Sequence, residues 1–416
     1  MNVINLHEYE ENFEGEWWSP TAPEERRHGR LECVPGKRIE LHLTSIGLGI
    51  PFHESPAILC GQANNKKITL WNCFQNRTSV SGNEFKARYS VQVVIPGITA
   101  NGEGDLMFDE AEFSLEHLSD WIGRRSINES RILQDMELRL DLQDDIIFRV
   151  SDRIEGSICQ SFAMDHPDFY SVKISQHDSI RLKFKEPKAL GEIKKEVTSW
   201  RWLISLLMGR PVSETRLLVK NENSPYGEPH DVIYTPGRSN AYPTKLHDFD
   251  MLCPYGEVHD RFEGIVHEWQ RIRSAYPAVL HRYFSTVFKH GLYTHEDFLF
   301  LAQAIESYWK TKIGGRPRFR ECVEGAFDAM PFFVRNFVGA RDEFADHVVN
   351  NRNYYTHYDP EIERKGKVIG FNELYELRQK MQFVIEALLL QELGLTESIV
   401  GQVIDGQRVR KLIEYQ

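Results

Sequence analysis

The chain has 416 residues, with 50 Lys and Arg against 61 Asp and Glu, a formal net charge of -11 with His neutral. That balance argues against indiscriminate coating of nucleic acid, which depends on basic residues releasing counterions from phosphates, and leaves room for a local basic site. Hydrophobic residues make up 41% and charged residues 27%, the balance of a folded globular protein too long for one ordinary core, so two or three domains are expected.

The six cysteines (Cys33, Cys60, Cys73, Cys159, Cys253 and Cys322) include no Cys-x-x-Cys pair. That speaks against a disulfide framework or a cysteine zinc site and fits free thiols in a reducing cytosol. The acidic start, Met-Asn-Val-Ile-Asn-Leu-His-Glu-Tyr-Glu-Glu, lacks the basic opening and apolar run of a signal peptide. The longest apolar stretch, Trp202 to Met208, is too short to cross a bilayer. A cytoplasmic protein with no membrane partner is expected.

Up to about residue 190 the dominant period is two. Phe85, Ala87, Tyr89, Val91, Val93 and Ile95 alternate with mostly polar neighbours until Pro96-Gly97. Shorter runs follow the same rule at Ile39-Leu41-Leu43, Ile68-Leu70, Met136-Leu138-Leu140, Ile146-Phe148-Val150, Val172-Ile174 and Ile180-Leu182-Phe184. Many short strands separated by turn residues predict a sandwich or barrel. Helical insertions are predicted at Leu115 to Ile122 and at Leu190 to Met208, the second stopped by Gly209-Arg210-Pro211. Trp17, Trp18, Trp71, Trp121, Trp200 and Trp202 are expected in the core.

Residues 221 to 256 are rich in Pro, Gly, Asn and Tyr and show no sustained period. The boundary is therefore set there, between a β-rich region 1–250 and a helical region 257–416. His247, Asp248, Asp250, Cys253 and His259 fall around this turn-rich linker, but their spacing matches no zinc pattern, and no metal is expected.

From residue 257 the period becomes 3.6. Phe262, Ile265, Val266, Trp269 and Ile272 form one stripe; after Pro277, Val279, Leu280, Tyr283, Phe284, Val287 and Phe288 form another. Thr294 with Asp297 resembles a capping box opening a helix with Phe298, Leu301, Ile305 and Tyr308. Further helices are predicted at 319–338, 341–358, 371–393 and 396–414, with Gly394 as a C-cap. The class is α+β: a β-rich, sandwich- or barrel-like N-terminal domain with helical insertions, then an all-α bundle. There is no internal repeat or low-complexity tract.

Residues 350 to 359 read Asn-Asn-Arg-Asn-Tyr-Tyr-Thr-His-Tyr-Asp. Arg352-Asn353 and His357 combine a fixed cation, an amide and a titratable imidazole, a set suited to a phosphodiester, whose cleavage needs charge neutralisation, orientation and proton transfer. On the helix from Arg341, steps of four lead from Phe344 through Val348 to Arg352, so the arginine lies on the stripe facing the bundle or a partner chain. Something negative should meet it there. Asn353 and His357 share a face within reach of its side chain. Asp359-Pro360 should end the helix just after His357, at a terminus where the macrodipole favours positive charge.

Spacing alone leaves a second reading open, in which Arg352 pairs with an internal carboxylate and His357 only caps a helix. Loose matches recur at Arg341 with His347 and at Arg335-Asn336 with Ala340 in the histidine's place. A basic group at 310 to 320 (Lys310, Lys312, Arg316, Arg318 and Arg320), with Phe319 after a Gly-Gly-Arg-Pro turn, is the candidate RNA-backbone contact; a solvated loop between helices is its plain alternative.

Arg352-Asn353-x-x-x-His357 late in a helix of a C-terminal bundle resembles the HEPN signature of arginine, a polar residue and histidine. Leu301 to Lys310 (Leu-Ala-Gln-Ala-Ile-Glu-Ser-Tyr-Trp-Lys) resembles the early HEPN helix of the ApeA-like branch. Phe13-Glu14-Gly15-Glu16-Trp17-Trp18, then Pro20, Gly29-Arg30-Leu31 and Arg38-Ile39-Glu40-Leu41, is similar to the start of the ApeA N-terminal domain. The resemblance covers nearly the whole chain.

It implies a metal-independent endoribonuclease acting in anti-phage defence by abortive infection, with RNA as substrate, tRNA among the candidate targets, and no cofactor. Arg352, Asn353 and His357 would be catalytic, Glu306 a supporting partner of Arg352 or a solvated surface carboxylate, and the product a 2′,3′-cyclic phosphate. A homodimer or higher homo-oligomer with a composite site and a phage-derived trigger are likewise implied. The β-rich domain is expected to sense infection or restrain the nuclease, and restraint is the expectation because it has no catalytic constellation of its own and occupies more than half the chain. HEPN toxins silenced by nucleotidylation carry a tyrosine two residues after the histidine; this chain has Asp359 there, with Tyr358 directly after His357, and departs from that pattern. The other functional class is a non-catalytic HEPN module binding a nucleotide or partner; the complete Arg-Asn-x-x-x-His set favours the enzyme. There is no Gly-x-x-x-x-Gly-Lys loop and no Gly-x-Ser-x-Gly elbow.

Overall fold

The computed structural model describes residues 5–46, 56–132, 135–221, 228–236, 246–247, 250–288, 293–358 and 360–395. Two compact units divide the chain: Met1–Arg201 with Val212–Pro243, and Trp202–Pro211 with Thr244–Gln416.

In the first unit, β1 (Glu11–Ser19), β2 (Ala22–Cys33), β3 (Ile39–Ile46), β4 (Ile58–Ala63), β5 (Lys66–Ser81) and β6 (Glu84–Pro96) close into an antiparallel barrel in the order β1-β2-β3-β6-β5-β4. The alternating residues Ile39, Leu41, Leu43, Ile68, Leu70, Ala87, Tyr89, Val91, Val93 and Ile95 are buried, as a pleated strand with one face in a core requires. Closure depends on a close approach. Gly15 pairs with Gly29 on β2 and Ala63 on β4, and a Cβ at Gly15 would sit 2.1 Å from the Gln62 carbonyl oxygen. Fully buried Trp17 leaves no room for a Cβ at Gly61 and donates its indole N–H to the Gly29 carbonyl at 3.1 Å.

The chain continues with β7 (Met107–Leu115), α1 (Leu118–Ile122), β8 (Ile127–Ile132), β9 (Asp135–Leu140), β10 (Ile146–Ser151), β11 (Ile154–Asp168), β12 (Ser171–Ala189), α2 (Leu190–Met208), whose residues from Trp202 on belong to the second unit, β13 (Glu214–Lys220) and β14 (His230–Asp231). Six of these strands form a sheet in the order β10-β11-β12-β7-β13-β14, and β8 pairs with β9 alone. Phe148, Val150, Ile180, Leu182 and Phe184 are buried, whereas Leu138, Leu140 and Val172 are exposed. Alternation fixes only which side a residue faces; burial needs a second layer. Trp17, Trp121 and Trp200 are core residues, while Trp18, Trp71 and Trp202 are half-buried. Helix α2 ends at Gly209, whose φ of 67° suits a residue without a side chain.

The second unit contains α3 (Tyr255–Val258), α4 (Phe262–Ala275), α5 (Pro277–Phe288), α6 (Thr294–Ile313), α7 (Phe319–Ala329), α8 (Phe332–Val338), α9 (Arg341–His357), α10 (Pro360–Arg364) and α11 (Phe371–Glu392). Helix α6 is central, with α5, α7, α9 and α11 packed on it. Its Phe298, Leu301, Ile305 and Tyr308 are buried, as are Cys322 and Val323 on α7, Phe344 and Val348 on α9, and Met381, Val384 and Leu388 on α11.

Helix α1 begins at Leu118 and not at Leu115, which ends β7, and two boundaries in the second unit also differ from the sequence reading. The helix expected over 319–338 is broken, with Met330 extended at ψ 152°, because Pro331 supplies no N–H and disfavours a helical residue before it. The capping box at α6 is set one residue earlier than Thr294-Asp297: the Tyr293 N–H donates to Glu296 at 3.2 Å. Asp297 instead pairs with Arg378 of α11 at 3.3 Å. Gly394 stops α11 with φ 77°, its N–H bonded to the Gln391 carbonyl at 2.9 Å and that of Leu395 to Leu390 at 3.2 Å, a Schellman arrangement. The helix expected over 396–414 lies outside the described residues. Among the described residues no helix is long and apolar enough to cross a membrane.

Candidate active site on the last turns of α9

Helix α9 enters the bundle through Phe344, Ala345 and Val348, all buried, with Phe344 against Phe327 of α7 at 6.0 Å between ring centroids. The stripe that carries Arg352 therefore packs inside the chain's own bundle. Asn351, one turn after Val348, is also fully buried. Its Nδ2 donates to the His347 carbonyl at 2.8 Å and its Oδ1 accepts from the Ile369 N–H at 3.1 Å. This amide fixes α9 against the segment leading into α11. Sequence reasoning assigned it nothing, although its place seven residues after Phe344 is an interior position.

Arg352 sits where the stripe reaches the surface, its side chain 28% exposed. The guanidinium carbon lies 5.0 Å from the centroid of Phe319, the first residue of α7. Nη1 donates to Asn353 Oδ1 at 3.2 Å. The expected negative group is Glu306, 4.0 Å from Nη2. Glu306 is bound more closely by Lys310, at 2.6 Å. One carboxylate thus faces two cations, and the pair of basic residues keeps an excess of positive charge. Arg341, which the sequence offered as a loose match, is different: Asp328 accepts from it at 2.8 and 2.9 Å, and Glu324 and Asp342 each stand at 3.5 Å. Its charge is taken up.

His357 is the last residue of α9; its side chain is exposed and has no hydrogen bond or ion pair with any described residue. Helix α9 ends through Tyr358 in the left-handed region, at φ 50° and ψ 44°. Pro360 then opens α10, where its fixed φ suits the first helical position. Asp359 lies outside the described residues.

The five basic residues at 310 to 320 divide. Lys310 is held by Glu306, Lys312 by Glu392, and Arg320 by Glu324 and Asp346. Arg316 and Arg318 are exposed in the turn after α6, where Gly314 and Gly315 have φ 72° and 77°, and neither has an ion pair among the described residues. Arg318 immediately precedes Phe319, whose ring carries Arg352. Glu392 also binds Arg271 at 2.6 Å and accepts from the Tyr308 hydroxyl at 3.0 Å. Burial pushes its carboxyl up, but the hydrogen bonds from Lys312, Arg271 and Tyr308 outweigh this and hold it below its ordinary value.

All six cysteines are buried and free. Burial pushes the thiols of Cys33, Cys73 and Cys253 up to about 12, so they are poor nucleophiles at neutral pH. His259 Nδ1 lies 2.8 Å from the Gly256 carbonyl and the His247 N–H donates to Asp250, contacts of turn structure. Among the described residues no three His, Cys, Asp or Glu side chains gather as a metal site.

The end of α9 thus combines an anchored, incompletely neutralised guanidinium, an amide bonded to it, and a solvent-exposed imidazole. These groups can hold an anion and move a proton. Residues 12–269 match the ApeA N-terminal domain 1 and residues 284–399 match the Apea-like HEPN domain. No curated protein and no solved structure gives a match.

Proposed function

The chain belongs to the ApeA family, joining an ApeA N-terminal domain to an Apea-like HEPN domain, and from this we propose that it is a metal-independent endoribonuclease of anti-phage defence, acting by abortive infection. Arg352 holds the scissile phosphate and stabilises its developing charge. Asn353 orients that phosphate and the arginine. His357 takes the proton of the ribose 2′-hydroxyl; the 2′-oxygen bonds to phosphorus, the P–O5′ bond breaks, and the leaving 5′-oxygen receives a proton. The products are a 2′,3′-cyclic phosphate and a 5′-hydroxyl.

The observation that carries this reading is the state of Arg352: positioned by Phe319 and Asn353, with the carboxylate that faces it among the described residues, Glu306, shared with Lys310. An arginine serving only to stabilise the fold would resemble Arg341, enclosed by three carboxylates. Arg316 and Arg318 extend the phosphate contacts along the RNA, whereas Lys310, Lys312 and Arg320 serve bundle ion pairs first. In a homodimer the Arg352 of one copy meets the His357 of the other, so that each composite site needs one arginine and one histidine from different chains.

Total RNA from phage-challenged cells tests this. Cells with the wild-type protein show discrete RNA fragments that are missing with Arg352→Ala or His357→Ala. The same fragments with all three proteins would remove the ribonuclease reading, and RNA binding without fragments would favour the non-catalytic module.

A further inference from the structure

Beside the Arg-Asn-His set lies a run of aromatic rings that none of the roles above uses. Tyr293, just before α6, stacks on His295 at 5.7 Å between centroids and 15° between planes; His295 stacks on Tyr355 of α9 at 5.5 Å and 18°. Tyr355 meets Tyr354 edge-on at 5.1 Å, and Tyr354 meets Tyr358 at 6.0 Å. Buried Phe298 supports Tyr355 from below, at 6.2 Å. The two ends of the run are open, with Tyr293 72% and Tyr358 66% exposed. Rings that exposed are not serving the core, and Tyr358 also holds a left-handed backbone that residues with a side chain rarely adopt.

We infer that this aromatic run is a stacking platform that holds the unpaired nucleobases on either side of the scissile phosphate. The inference rests on the ribonuclease reading for the position of the scissile phosphate. Tyr354 and Tyr358 are one helical turn apart and bracket His357, so a phosphodiester at Arg352 and His357 carries its flanking bases onto those rings. Every base offers a flat face to an aromatic side chain, and duplex RNA keeps its faces stacked internally. Exposed Arg316 and Arg318 supply the cations that follow the backbone, and the phenol rims tolerate water as a second protein's apolar patch would not require.

The test uses the full-length protein and a fluorescent single-stranded oligonucleotide made uncleavable by 2′-O-methyl groups. Tyr293→Ala and Tyr358→Ala each weaken its binding about five- to a hundredfold, leave the salt dependence unchanged, and leave the oligomeric state by light scattering as in wild type. Tyr358→Phe retains binding. Wild-type affinity in both alanine variants, equal wild-type affinity for the same sequence as duplex, or a change of oligomeric state in the variants overturns the platform; the last would mark the rings as a contact between copies. Because binding to uncleavable RNA is read apart from cleavage, loss of the ribonuclease reading and loss of the platform give different results.

Discussion

The Arg352 guanidinium lies 5.0 Å from the centre of the Phe319 ring, so a residue of α7 orients the cation of α9 without cancelling its charge. A carboxylate in that position would fix the arginine and also compete with any phosphate. An aromatic face fixes it and leaves the donor fork available.

Phe319→Leu should keep the bundle folded and loosen Arg352. A cation–π contact of about 0.5–2 kcal/mol corresponds to a fall in cleavage rate of roughly 2- to 30-fold, read as kcat on a model RNA. An unchanged kcat would mean that Phe319 does not position the arginine.

Glu306 competes with RNA for Lys310 and Arg352. Glu306→Gln should therefore tighten RNA binding severalfold at low salt and steepen the dependence of log Kd on log salt concentration, since one more cation is free to displace counterions. Weaker binding in this variant would show that Glu306 orients the arginine more than it opposes the substrate.

The interior ion network around Glu392 gives a pH-dependent contribution to stability. Burial raises its carboxyl, yet hydrogen bonds from Lys312, Arg271 and Tyr308 leave it below its ordinary value. A carboxyl depressed in the folded state stabilises fully above the unfolded value and loses that contribution as pH falls through the folded value. Glu392→Gln should lower the thermal midpoint at pH 7, by about 1–3 kcal/mol of stability for the charge-assisted bonds lost, and the gap from wild type should close as pH drops below about 4.5, the ordinary value. A gap independent of pH would contradict the assignment.

The composite site makes a further demand. When Arg352→Ala and His357→Ala chains are mixed and allowed to exchange, mixed dimers retain one intact pairing of arginine with the other copy's histidine. Cleavage should reappear in the mixture. Continued inactivity of verified mixed dimers would confine the site to one chain.

Much of this was legible in the sequence, and the exceptions have a common cause. Alternation at Ile39-Leu41-Leu43 and along Phe85 to Ile95 marks the barrel strands because one face is buried, and Gly209-Arg210-Pro211 marks the end of α2 because both residue types act locally. The same locality made Pro331 a readable break, but the apolar content around it masked the signal. Arg352, Asn353 and His357 are readable because they lie on one helix. What holds them is not: Phe319 reaches Arg352, and Glu392 removes Lys312 from the basic group, through contacts 33 and 80 residues apart. The Gly15-Glu16-Trp17 segment likewise shows its purpose only when β4 closes the barrel against it.

The most direct test of the central claim is cleavage of a defined oligoribonucleotide by purified full-length protein in excess chelator, with the same oligonucleotide carrying one 2′-deoxyribose at the cleaved position. The account predicts a 2′,3′-cyclic phosphate from the first, no cleavage at the substituted position of the second, and loss of at least a hundredfold in rate, about 2.7 kcal/mol, in His357→Ala. Equal cleavage of both substrates, or an undiminished rate in His357→Ala, would contradict it.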